Sequence, residues 1–221
     1  MKFVKSIKMN MALGVWSIFR LCGMGPLLLR IHPKSALLSL GWFRSFRNKM
    51  SVDKDMNPIP WWTYSAIAFL KDRLNPRMKV LEFGSGSSTL WLCRHVSEVI
   101  SVEKNISWAQ YIQERLPKNG NLFITDSFED FINSYVTNIK FDLVVIDVGN
   151  RINIAKKIFP MLSNEGVILW DNTDGPDWLQ IKSLLYSHNF LEISFEGMTA
   201  QEIALSRTTI FYRKNNNCLG I

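Results

Sequence analysis

Residues 80–89 read VLEFGSGSST. A strand-like apolar run carrying one carboxylate, Glu82, gives way to two glycines, Gly84 and Gly86. In an open α/β sheet, a glycine turn after the first strand lets backbone approach a ligand, and the N-terminus of the next helix offers it free N–H groups. A dinucleotide-binding turn would continue GxGxxG, but position 89 is threonine. Glu82 would also oppose a pyrophosphate, whereas a carboxylate there suits a ligand bearing an ammonium or sulfonium charge. Alone, the stretch reads equally as a tight strand-to-helix turn capped by Ser87 or Ser88.

The flanking sequence narrows the choice. Past residue 57, short β-rich runs appear at KVLEF (79–83), EVISVE (98–103), NLFITD (121–126), FDLVVIDV (141–148), GVILWD (166–171), FLEISFEG (190–197) and TTIFYRK (208–214). Such near-continuous apolar runs suggest a sheet buried on both faces. Ser107–Gln110 and Ser127–Asp130 read as helix-capping signals, and Trp108, Tyr111, Ile112 and Leu116 recur at helical spacing until Pro117. A further helix is expected over 61–74, stopped by Asn75-Pro76. Only residues 198–207 separate the last two runs, and a parallel crossover needs about a dozen or more. Those strands should be antiparallel. The expected fold is α/β and Rossmann-like: a seven-stranded, mostly parallel sheet with an antiparallel last strand and helices on both faces.

The chain of 221 residues, 47% apolar, has room for one large domain. Its net charge of +7 is unevenly placed. Residues 1–50 hold nine Lys and Arg and no acid, so 17 basic residues remain against 19 acidic ones, a net of −2 for 51–221. Basicity confined to a leader does not predict a nucleic-acid-binding face. Cys22, Cys93 and Cys218 are scattered, with no CxxC, and read as small buried hydrophobes of a reduced, cytoplasmic chain. The apolar pieces 11–19 and 21–29 are each shorter than the roughly 18 to 20 residues of a spanning helix, and no cleavage-site pattern follows them. Residues 1–57 are therefore expected to be a basic, partly apolar extension before a domain over 58–221. Residues 1–46 either pack on that domain or lie on an anionic membrane surface, peripheral on its inner face.

Four carboxylates stand near strand ends. Glu103 follows the glycines by about 20 residues, where an acid can accept both hydroxyls of an adenosine ribose. Asp126 and Ser127 end the third run, placed either to meet an adenine amino group or to cap the next helix. Asp147 ends the fourth run and Asp171-Asn172 the fifth, on the same carboxyl edge of the sheet. Trp61, Trp62 and Tyr64 read as core aromatics before pocket residues, and His188 as a helix-end residue.

With Glu82-x-Gly84-x-Gly86, Glu103, Asp126 and Asp147 in this order, residues 58–214 resemble class I S-adenosylmethionine-dependent methyltransferases. More narrowly, PWWTYSAIAFL, VLEFGSGSSTLWL, FDLVVIDVGNR, GVILWDN and TTIFYR look like a bacterial subgroup whose substrates are mostly unassigned. The resemblance implies S-adenosyl-L-methionine as cofactor, with the loop Gly84, Ser85, Gly86, Ser88 around its methionine part. It also implies Glu103 on the ribose, Asp126 and Ser127 on the adenine, and Glu82 and Asp147 as further contacts. A more distant similarity to catechol O-methyltransferases implies Mg²⁺ held by Asp147, Asp171 and Asn172. Those enzymes carry a lysine base shortly after the first Asp, whereas this chain reads Val148-Gly149-Asn150-Arg151. Arg151 suits an anionic substrate or an oxyanion better than proton abstraction. Asp147 then serves as base or cofactor contact and Asp171 orients the acceptor. The expected activity is methyl transfer, to oxygen before nitrogen, on a small-molecule, glycan or lipid-linked acceptor, with Asp147, Asp171 and Arg151 as its catalytic residues. Two other classes compete. A nicotinamide-dependent oxidoreductase lacks its third glycine here. A non-catalytic, membrane-associated adaptor of the same fold would explain the leader and the missing lysine.

Overall fold

The computed structural model describes residues 17–18, 21–135, 139–149 and 151–221. Among the described residues a seven-stranded sheet runs in the order β3-β2-β1-β4-β5-β7-β6. The strands are β1 (Lys79–Phe83), β2 (Glu98–Glu103), β3 (Gly120–Ile124), β4 (Phe141–Ile146), β5 (Leu162–Trp170), β6 (Phe190–Gly197) and β7 (Ser206–Arg213). Strands β1 to β5 pair in parallel, while β7 lies antiparallel to both β5 and β6. The expected fold class is therefore the one observed.

Successive residues of the central strands point to opposite faces, and both faces are buried. Leu81, Phe83, Val144 and Ile146 face one core with Phe128, Ile154, Trp170 and Leu185. Val80, Leu143, Val145 and Leu169 face the other with Trp62, Leu70, Trp91 and Ile210. The strand order reverses between β1 and β4, and in open α/β sheets the ligand crevice opens at such a switch point, beyond the carboxyl ends of the strands.

Several boundaries differ from the sequence reading. The helix expected over 61–74 is α4 (Tyr64–Lys71), because the Thr63 hydroxyl accepts from the Ala66 N–H and fixes its start. Helix α6 (Ile106–Gln113) is capped by Asn105, whose side chain accepts from the Trp108 N–H, and not by Ser107. Ser127 does cap α7 (Phe128–Ser134), accepting from the Asp130 N–H. Strand β5 begins at Leu162, four residues early, across a register shift against β4. His188 closes α9 (Trp178–Ser187) and stacks on Phe159. Cys93 is buried as expected, but Cys22 is exposed.

Before the sheet lie three short helices, α1 (Gly25–Ile31), α2 (Ala36–Ser39) and α3 (Trp42–Asn48). Most of the first apolar leader piece, 11–19, lies outside the described residues. The part from Gly41 onward is fastened to the domain. The Ser45 hydroxyl donates to the Val52 carbonyl and accepts from the Val52 N–H, and Trp42 Nε1 donates to the Glu202 carbonyl. Among the described residues no helix is long and apolar enough to cross a membrane.

Gly84 is the tightest point of the switch. Its φ is +94°, and a Cβ there would strike the carbonyl of Asp147. Left-handed strain and overpacking each cost about 1–3 kcal/mol. Gly84→Ala should therefore lower the melting temperature by on the order of 10 °C. Gly149→Ala, on the same edge with open space around it, should leave it nearly unchanged. Thermal unfolding followed by circular dichroism checks both.

Candidate active site

The turn after β1 is organised from beneath by Glu82. That side chain is fully buried and takes hydroxyl donors from Ser88 (2.5 Å), Thr89 (2.5 Å) and Ser101 (2.9 Å). Burial pushes its carboxyl up to about 7, against the three hydroxyls that favour the charged form, with Asp147 adding a smaller upward push. Glu82 was expected to face a cationic ligand; the structure instead turns it inward, under the loop. Helix α5 (Ser87–Leu92) has Gly86 at its N-cap position, and the Gly86 N–H donates to Thr89 Oγ1 at 2.9 Å, so neither Ser87 nor Ser88 is the cap. The threonine at the third-glycine position is thus a fastening for the turn.

Above the loop lies a cavity of about 460 Å³, within the range of small-molecule sites. Gly84, Ser85, Gly86, Ser88, Glu103 and Asp147 all line it. Glu103 accepts from the Ser85 N–H through one oxygen and from the N–H groups of Lys104 and Asn105 through the other. Its carboxylate is therefore held at a fixed angle on the cavity rim. A Cβ on Gly86 would meet nothing nearer than 3.9 Å, so the glycine leaves that space open for a ligand. Asp126 is exposed and, like Ser127, does not line the cavity; the residue that does so from α7 is Phe128. Ser127 is spent on capping, the rival role considered for it.

On the far side of Asp147 a second cavity, about 200 Å³, is lined by Trp61, Asp147, Asp171, Asn172 and Glu202. Trp61 and Asp147 border both cavities. Trp61 is 45% exposed, whereas Trp62 is core, so the two tryptophans part ways. Asp171 is 3% exposed and accepts from the Thr208 hydroxyl at 2.6 Å. Burial pushes its carboxyl up to about 8, Asp147 pushes it further, and Thr208 and Arg151 oppose the rise. Asp147 is also raised by burial, with Arg151 pulling it down.

The oxygen grouping does not fit a divalent ion. Arg151 Nη2 donates to Asn172 Oδ1 at 2.9 Å and lies 3.5 Å from Asp147 Oδ1, while Nη1 donates to the Asp171 carbonyl. A permanent positive charge among the intended ligands repels a second one. Among the described residues there is no group of three or more His, Cys, Asp or Glu suited to a metal. The expectation of Mg²⁺ on Asp147, Asp171 and Asn172 is corrected accordingly. So is a role for Arg151 as a free anion or oxyanion ligand, since its guanidinium is committed to the two turns. Asn150 lies outside the described residues.

Sequence reasoning missed one wall of the main cavity. Lys49, Met50 and Ser51 line it from the segment after α3, and Gln201 from the β6–β7 loop. No periodicity or spacing ties residue 50 to residue 84. Trp108 and Phe128 carried a usable signal, since each falls in the first turn of a helix that follows a strand. Trp108 Nε1 donates to the Ser85 carbonyl at 2.7 Å and props the glycine turn.

The chain is similar to known proteins in fold and over part of its sequence. A family described as "Methyltransferase domain" matches residues 81–173. The O-methyltransferase TomG from Streptomyces achromogenes, solved in complex with SAM, is 15% identical over 85% of this chain and 93% of its own, with a TM-score of 0.58. The tRNA (m1A58) methyltransferase TrmI from Aquifex aeolicus is 22% identical over 71% of this chain and 70% of its own, TM-score 0.53. A SAM-dependent O-methyltransferase from Thermotoga maritima is 15% identical over 67% and 63%, TM-score 0.51. At these identities the structures share the fold. No curated protein matches the sequence.

Burial of Glu82 has a pH signature. Its folded value, about 7, stands above its ordinary 4.5, so the folded state holds this proton more tightly than the unfolded chain. Stability from this proton is fully present below about pH 4.5 and is lost as pH rises through 7, by about 3 kcal/mol in all. Glu82→Gln removes the titration, and the facing hydroxyls can accept as well as donate. Urea unfolding across pH 5–8 should show a shallower decline for Glu82→Gln than for the wild type.

Proposed function

We propose that the chain is a class I S-adenosylmethionine-dependent methyltransferase, a reading supported by its fold and by the methyltransferase-domain match over residues 81–173, and that it methylates an oxygen of a small acceptor seated between Asp147, Asp171 and Trp61. The observation that carries this reading is the pair of adjoining cavities bordered in common by Asp147 and Trp61. One is large enough for the cofactor, and the other presents a buried carboxyl.

The cradle that would hold the cofactor is Gly84, Ser85 and Gly86, with Glu103 toward the ribose hydroxyls and Phe128 and Trp108 against flat or apolar parts. When bound, S-adenosylmethionine supplies a methyl group on a sulfonium. The protein's share is alignment and proton handling. Asp171, raised to about 8, is suited to take a proton from an acceptor hydroxyl near neutral pH. Thr208 fixes the direction of that carboxyl through the oxygen it donates to. Asp147 stands at the junction with Arg151 beside it, so its charge is partly balanced before any ligand arrives. The O-methyltransferase names of two structural neighbours support oxygen over nitrogen. Calorimetry should give micromolar binding of S-adenosylhomocysteine. Glu103→Ala, deleting hydrogen bonds from a charged acceptor worth about 1.5–3 kcal/mol each, should weaken it roughly 100-fold. Undiminished binding by the variant would remove Glu103 from the site, and a folded wild type that binds none would remove the cofactor.

A membrane-peripheral location is supported by one further observation. Leu21, Met24, Leu27, Leu29, Ile31 and Phe46 are exposed among the basic residues Arg30, Lys34, Arg44, Arg47 and Lys49, with no acid before residue 51. Apolar side chains interleaved with Lys and Arg suit an anionic bilayer surface. Vesicles containing phosphatidylserine should float the full chain at low salt, and vesicles of phosphatidylcholine alone should not. Leu27→Asp with Phe46→Asp should abolish flotation while leaving the circular dichroism spectrum unchanged.

A further inference from the structure

The turns after β4 and β5 present the kind of oxygen grouping that binds a divalent ion, yet a side chain already fills it. Arg151, the first residue of α8 (Arg151–Ile158), reaches back across both turns. Its Nε donates to the Val148 carbonyl, its Nη1 to the Asp171 carbonyl and its Nη2 to Asn172 Oδ1, with Asp147 Oδ1 3.5 Å from Nη2. We propose that Arg151 is the built-in cation of this site, standing where a divalent ion would otherwise bridge Asp147 to Asp171–Asn172 and setting the separation of the two turns.

Three physical arguments support the assignment. A magnesium ion needs oxygen ligands at about 2.0–2.1 Å in an octahedron. Arg151 Nη2 already bonds Asn172 Oδ1 and lies 3.5 Å from Asp147 Oδ1, so an ion taking both oxygens as ligands would have to compete with the guanidinium for them. The side chains concerned are only 20% and 31% exposed for Arg151 and Asp147, so solvent screens the guanidinium's repulsion of an added cation poorly. The guanidinium is also a planar fork that stays charged at every physiological pH. It therefore supplies a charge held in place by the chain, which an exchangeable ion does not.

The backbone adds a separate indication. Asn172 adopts a left-handed conformation, φ 53°, which non-glycine residues seldom take. There its amide oxygen receives Arg151 while its amide nitrogen points to Ser206 Oγ at 3.4 Å. Arg151 meets the acceptor cavity through Asp147, Asp171 and Asn172, and is thus a positioning residue. The inference goes beyond the methyl-transfer reading and does not require it, since it concerns which cation the protein carries.

The test reads metal binding. Mn²⁺ is titrated into the full chain, with and without S-adenosylhomocysteine, and free Mn²⁺ is followed by electron paramagnetic resonance. The wild type should take up no stoichiometric Mn²⁺ at millimolar concentration, and its affinity for S-adenosylhomocysteine should be the same in chelator as in Mg²⁺. Arg151→Ala should gain one Mn²⁺ site, and adding Asp147→Asn should remove it. Arg151→Lys, which keeps the charge, should remain without metal. A wild type that binds one Mn²⁺ at submillimolar concentration, tenfold weaker in Asp147→Asn, would overturn the proposal. So would a folded Arg151→Ala that gains no site. If Arg151→Ala does not fold by circular dichroism, the wild-type titration decides alone. Loss of S-adenosylhomocysteine binding with the Mn²⁺ results as expected would instead count against the cofactor reading.

Discussion

Strands β1 and β4 stay side by side past their last paired residues because position 84 has no side chain. The Gly84 N–H donates to the Val102 carbonyl and the Asp147 N–H to the Phe83 carbonyl, so β2, β1 and β4 remain stitched one residue beyond the strands. Any Cβ at 84 would occupy the place of the Asp147 carbonyl. This close passage sets where the β1 turn leaves the sheet and where Asp147 emerges. It therefore fixes the junction of the two cavities. Glu82, two residues earlier on the same strand, anchors that turn with three hydroxyl bonds, so the loop is held both by what is absent at 84 and by what is buried at 82.

Much of this was legible in the sequence, for local reasons. Strand runs, the glycine pair, the acids at strand ends and the short link before the final strand are all written in neighbouring residues, and periodicity reads neighbours well. The antiparallel last strand followed from the shortness of the link over residues 198–207. The direction in which Glu82 points did not follow. Both faces of β1 are buried, so alternation cannot say which face receives a carboxylate, and only the hydroxyls of Ser88, Thr89 and Ser101 make its burial tolerable. The wall built from Lys49, Met50 and Ser51 was equally illegible, because it depends on where a long connection comes to rest. Asp126, open between ligand contact and helix cap in the sequence, is exposed and lies outside the cavity lining, since a strand end suits a solvated acid just as well.

The misreading of the acidic edge is the more instructive one. Asp147, Asp171 and Asn172 invite a metal when counted as donors, and the count is correct. What it omits is that the next helix begins with an arginine whose reach covers the same oxygens. The arrangement keeps two carboxyls close to each other in a poorly hydrated place. Desolvation raises both, and the guanidinium limits the rise. A charge supplied by the chain offsets the repulsion without depending on an ion from solution.

Asn172 shows how narrow the choice of residue becomes at such a point. Asn189 and Asn215 share its left-handed backbone, a conformation that glycine takes without strain. At 172 the backbone favours asparagine or glycine, but the Oδ1 bonded to Arg151 calls for a side chain with an acceptor at that reach. Glycine would preserve the turn and lose the latch; glutamine would reach too far from a backbone it does not favour. The position is restricted twice over, by shape and by chemistry. Its tolerance to replacement is accordingly smaller than its exposed position would suggest.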